Sequence, residues 1–138
     1  MHVEITEEDI DTSAIIENIK SSSAGGIATF TGTVRDVSGG KKVVAIEMEA
    51  YDEMALDKLK EVASQAKDKF DIVDIAIVHR VGRMEVGETI VFIAVSAAHR
   101  APGFDAARFA IDEIKRVVPL WKREIFEDGT GEWVGGTR

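Results

Sequence analysis

Two apolar runs of strand length, IVDIAIVHRVG (72–82) and TIVFIAVSAAH (89–99), constrain this chain more than any other feature. Each is far shorter than the roughly 20 residues needed to cross a bilayer, so both belong in the core of a globular protein. Between them MEVGE reads as a turn. On either side the apolar period becomes helical. From Asp52 to Phe70, the residues Leu56, Leu59, Val62, Ala63, Ala66 and Phe70 fall on one side of a helix. In a second helix, from Pro102 through Val118, the residues Phe104, Ala107, Ile111, Ile114 and Val118 form one stripe. Pro102 suits a first turn, and Pro119 ends the ladder because proline has no N–H to donate.

The remaining segments are shorter. HVEI reads as a strand, and residues 12–20, TSAIIENIK, as a short helix opened by Asp11 or Thr12. SSSAGG breaks that helix. In GIATFTGTVR, Ala28, Phe30, Gly32 and Val34 alternate with Thr29, Thr31, Thr33 and Arg35, a strand with one polar face. DVSGGKK is turn-forming, VVAIEMEA a strand, and WKREIFE, DGTG and EWV a terminal hairpin. The order is βαββαββαββ. With two long helices among strand pairs, an α+β fold with a mixed, largely antiparallel sheet is expected. No linker or repeat divides residues 1–138, so a single domain is expected.

Charge is distributed unevenly. The chain carries net charge −8, yet Lys115, Arg116, Lys122 and Arg123 crowd into IKRVVPLWKRE. An acidic chain is a poor general binder of nucleic acid, whose affinity rests on many phosphate-neutralising cations. A local cationic pocket for a small anion remains compatible. At about 100° per residue, Lys115 lies about 60° from the centre of the second helix's stripe, at the rim of the core. Arg108 shares that flank, whereas Arg116 points away. Two readings of Lys115 stand. Its stem lies on apolar surface with the ammonium in water, or it is partly desolvated and serves as nucleophile or proton shuttle. Pro119 forces a turn, which is expected to bring Lys122 back toward the same pocket.

SAAHRAPG (96–103) places His99 and Arg100 between a buried strand and a helix N-terminus, where anions are favoured. His99 exchanges protons near neutral pH, and Arg100 grips phosphate bidentately. The alternatives are a local cap for His99 and a surface ion pair for Arg100. Arg35 ends its strand on the polar side, where an ion pair to Asp36 or another carboxylate is the plainer reading. SGGKK lacks the spacing of a phosphate loop. Glu47, Glu49, Asp52 and Glu53 read as a solvated face. With no cysteine and with His2, His79 and His99 scattered, neither a disulfide nor a zinc site is expected, and no cofactor is implied. The N-terminus lacks the basic and apolar regions of a signal peptide, so a cytoplasmic location is expected, with no membrane partner.

TFTGTVRD, IEMEAYDEMA, VHRVGRMEVGE, VSAAHRAPGFDA, IKRVVPLWKRE and EWV, in that order, resemble the large (MoaE-type) subunit of molybdopterin synthase over nearly the whole chain. The resemblance implies an α/β hammerhead-type fold and a homodimer of large subunits. Each would bind a small ubiquitin-like (MoaD-type) subunit, making a heterotetramer. The thiocarboxylate ending the small subunit's Gly-Gly tail would deliver sulfur to cyclic pyranopterin monophosphate, forming the dithiolene of molybdopterin. By the same resemblance, Lys115 and Lys122 match the active-site lysines. His99 and Arg100 match the substrate-pocket pair, and Arg35 matches an anion-binding arginine. Arg138 is carried over only as a minor pocket residue, because Gly135, Gly136 and Thr137 separate it from the expected position after Trp133. The family often has lysine where this chain has Thr33. A non-catalytic scaffold for a ubiquitin-like partner is the alternative function.

Overall fold

The computed structural model describes residues 1–136. Twelve elements run in the order β1 (His2–Thr6), α1 (Thr12–Ile19), β2 (Gly26–Thr33), β3 (Val37–Ser38), β4 (Lys41–Ala50), α2 (Asp52–Lys69), β5 (Asp74–Arg80), β6 (Gly82–Glu85), β7 (Thr89–Ala97), α3 (Arg100–Val117), β8 (Leu120–Phe126) and β9 (Trp133–Gly136). The strands form two sheets. The first has the order β1-β5-β7-β2, with β1 parallel to β5 and the other pairs antiparallel. The second has the order β3-β4-β8-β9, with β6 also paired to β4, and is antiparallel throughout.

The apolar runs become continuous because the first sheet is covered on both faces. Along β7, Val91, Ile93 and Val95 join β5's Ile75 and Ile77 beneath α2 and α3. The intervening Phe92 and Ala94 pack with Ala76 and α1's Ile19 on the other face. Asp11 caps α1, its carboxylate accepting from the Ala14 N–H at 3.1 Å. The helices α2 and α3 are 18 residues each and meet through an edge-to-face Phe70–Phe109 pair at 5.6 Å.

Two local expectations change, and the turn at SGGKK is defined more finely. MEVGE is not all turn, because Gly82–Glu85 forms β6 and its Met84 is fully buried opposite Ile46. SGGKK is the tip of a hairpin, with Gly39 and Gly40 at φ 57° and 80°, values that favour glycine. The buried face of α3 is Gly103, Ala106, Ala107, Ala110 and Ile114, which leaves Phe104 60% exposed. Small residues win that face because the helix lies close to the sheet. A Cβ on Gly103 would sit 3.6 Å from the Cβ atoms of Ala28 and Ala97. No helix among the described residues is long and apolar enough to cross a membrane.

Candidate active site

A cleft of about 470 Å³ opens where the two sheets and the end of α3 meet. Its walls follow from register. In the first sheet His79 pairs with Val91, and Val91 with Gly32. In the second, Met48 pairs with Lys122, and Lys122 with Val134. Residues paired across antiparallel strands share a face, and all six line the cleft. From α3 come Ile111, Ile114 and Lys115, on one helical face, and from its C-cap Val118. The end of β2 adds Thr33, and the chain beyond it Arg35.

Gly32 keeps the floor open. A Cβ there would lie 2.8 Å from Val91 Cγ1 and 3.4 Å from the Phe30 ring. Val91 is branched at Cβ and cannot easily swing aside.

The four cations of residues 115–123 divide into two roles. Arg116 pairs with Glu113 at 2.8 Å. Arg123 pairs with Glu47 at 2.8 Å and lies over the Trp133 ring at 5.5 Å. Glu47 is therefore half-buried and ion-paired, not part of a solvated face. Lys115 and Lys122 line the cleft with Arg35. No carboxylate is among the described lining residues. Neither Lys115 nor Arg35 forms an ion pair with a described residue, so the plainer reading of Arg35 does not hold.

Of the two readings of Lys115, the one that leaves its ammonium in water holds in the isolated chain, where the residue is exposed. Its helical position does put it beside the apolar stripe. The stripe ends where Pro119 turns the chain, and the ammonium stands over an open cleft.

His99 and Arg100 do not line this cleft. Both are exposed at the start of α3, where His99 occupies the N-cap position without a side-chain capping bond. Arg100 makes no ion pair with a described residue. Lys115 lies fifteen residues further along the helix, about 22 Å at 1.5 Å per residue. Arg138 falls outside the described residues.

One lining residue was not singled out by the sequence. His79 is 4% exposed and forms part of the cleft wall. Its Nδ1 is 2.9 Å from the Arg80 carbonyl oxygen. A carbonyl only accepts, so Nδ1 carries the proton and Nε2 is left as an acceptor. Burial, partly offset by that bond, holds the imidazole's pKa below its ordinary value. The alternation Ile75, Ile77, His79 was the available signal, because it assigns the imidazole to the face that meets the helices.

Residues 5–117 match the family model described as MoaE protein. The chain belongs to the MoaE family. Within it, the chain is 46% identical over 132 residues to the molybdopterin synthase catalytic subunit of Thermoplasma volcanium, an alignment covering 96% of both proteins. Its fold superposes on molybdopterin synthase from Staphylococcus aureus with a TM-score of 0.90 and 38% identity, covering 96% of both chains. A complex of subunits 1 and 2 of molybdopterin-converting factor from Helicobacter pylori shares the fold, with a TM-score of 0.78 at 18% identity, covering 96% of this chain and 89% of that one. The MoaE family's fold is thus the mixed α+β arrangement that the strand and helix periods anticipate.

Proposed function

We propose that this chain is the catalytic subunit of a molybdopterin synthase, with residues 1–138 working as one unit in the cytoplasm. It receives sulfur from the C-terminal thiocarboxylate of a small ubiquitin-like subunit and adds it to cyclic pyranopterin monophosphate. The observation that carries this reading is the convergence of Arg35, Lys115 and Lys122 on one cleft without a described carboxylate, in a chain of net charge −8.

The chemistry needs such a site. The substrate bears a phosphate and the tail a thiocarboxylate, and sulfur addition passes through anionic intermediates. Fixed cations beside the reacting atoms stabilise that developing charge. Arg35 holds phosphate oxygens, as a planar guanidinium does well. Lys122 holds the tail. Lys115 either attacks the thioacyl carbon through its neutral amine or donates a proton as sulfur adds. Each transfer leaves the tail with an ordinary carboxylate, water supplying the oxygen that replaces sulfur. A tail laid over the cleft also supplies the desolvation that Lys115 lacks in the isolated chain.

The pair His99 and Arg100 joins this scheme through a homodimer. At about 22 Å from Lys115 along α3, the pair serves the cleft of a second copy and not its own. Phe104, 60% exposed one turn from Arg100, gives that end of the helix apolar surface to bury.

The test mixes the protein with a thiocarboxylated small subunit and the cyclic pterin and measures dithiolene formation. Lys115→Ala is expected to lower the rate by about 100-fold or more. Lys115→Arg is expected to fail similarly, since a guanidinium does not give up its proton near neutral pH. Full activity of the arginine variant would leave only an electrostatic role. Unchanged activity of the alanine variant would favour a scaffold.

A further inference from the structure

The cleft's three cations are hydrogen-bond donors only, which leaves open what recognises the donor groups of a bound ligand. Among the described lining side chains, His79, Thr33 and Met48 can accept. Thr33 is exposed, and a thioether accepts weakly. His79 differs from both. It is buried in the wall, its tautomer is fixed from behind by the Arg80 carbonyl, and Nε2 has no hydrogen-bond partner among the described residues. Its strand neighbours on the same face, Ile75 and Ile77, are apolar and fully buried. Packing alone would accept an aliphatic side chain here, and Nε2 is not among the fully buried atoms without a partner, so the imidazole presents an acceptor that an occupant of the cleft can reach.

We propose that His79 is the acceptor in the cleft wall, taking an N–H of the substrate's pterin ring while Arg35, Lys115 and Lys122 take its anionic groups. The proposal rests on the function proposed above. A pterin carries ring and amino N–H donors as well as the phosphate, so a site made only of cations would bind its charge without orienting its ring. The cleft volume, about 470 Å³, is within the range that small ligands fill. Gly32, in register with Val91 beside His79, leaves the adjacent floor free of a Cβ that would crowd a flat ring.

Two substitutions separate the acceptor from local support. The amide of His79→Asn can still donate to the Arg80 carbonyl but does not extend to the position of Nε2. His79→Gln places an amide oxygen near that position. The complex with a small subunit ending in an ordinary carboxylate, which cannot transfer sulfur, is titrated with the cyclic pterin and separately with inorganic phosphate. His79→Asn is expected to weaken pterin binding about tenfold, the scale of one lost hydrogen bond. His79→Gln should stay within about threefold of the original, and phosphate affinity should not change in either. Equal pterin affinity in the asparagine variant overturns the assignment. So does a parallel loss of pterin and phosphate affinity, which would mean a distorted cleft. Failure of the unsubstituted complex to bind the pterin overturns the proposed function, and the role of His79 with it. The unsubstituted protein provides a measurement that needs no variant. Its His79 Nε2 resonance should shift on adding the pterin and not on adding phosphate, and an unmoved resonance sinks the proposal.

Discussion

At the scale of single residues, His79 also links the cleft to stability. Burial makes protonation of the folded imidazole unfavourable, and the Arg80 carbonyl offsets only part of that effect. The unfolded chain takes up a proton as the pH drops through the ordinary histidine value of 6.5, while the folded chain resists it. Stability is therefore full above that pH and declines below it, until the folded group also protonates. His79→Gln removes this contribution. Urea midpoints measured between about pH 7 and pH 5 should fall less steeply for the glutamine variant than for the original protein. Parallel slopes would mean that His79 is not the titrating group. The residues of the site were legible in the sequence to different degrees. Lys115, Lys122 and Arg35 stood out by charge, because cations near apolar segments contrast with an acidic chain. His79 did not, since a neutral ring within a buried strand makes no contrast with its neighbours. The distance between His99 and Lys115 follows from helix length alone and was available without coordinates.

At the scale of elements, α3 positions the site because its buried face is tightly seated. Ile114 is fully enclosed one residue before Lys115 and packs into the core with Val118. Ile114→Ala is expected to cost about 2–5 kcal/mol, the range for a truncated aliphatic side chain in a close-packed core. Chemical denaturation would measure the loss, and a change below about 0.5 kcal/mol would show that the helix end is not anchored there. The long elements were readable because each repeats its period several times. β3 and β6 were not, having two and four residues respectively. Too short to declare a period, they exist through pairing with β4, a contact made across the chain. Phe104 was misread for a related reason. Its spacing fits the helical stripe, but the closeness of α3 to β2 selects alanine and glycine for the buried face.

At the scale of the whole molecule, the two sheets and three helices bring distant segments to one cleft, and the charge of the cleft opposes that of the body. The order of the ten elements other than β3 and β6, and the α+β class, came from periodicity and turn signals, whereas the division into two sheets depends on pairings that no local window contains. The length of α3 has a further effect on inheritance of activity. Suppose one defective copy lacks Lys115 and another lacks both His99 and Arg100. Made separately, each is expected to be inert. Made together in one cell, they assort at random into pairs, and half of the pairs are mixed. Each mixed pair holds one cleft with every needed group and one lacking Lys115, His99 and Arg100 together, so about a quarter of normal product formation should return. A mixture that stays inert would mean that each cleft draws all its groups from a single chain.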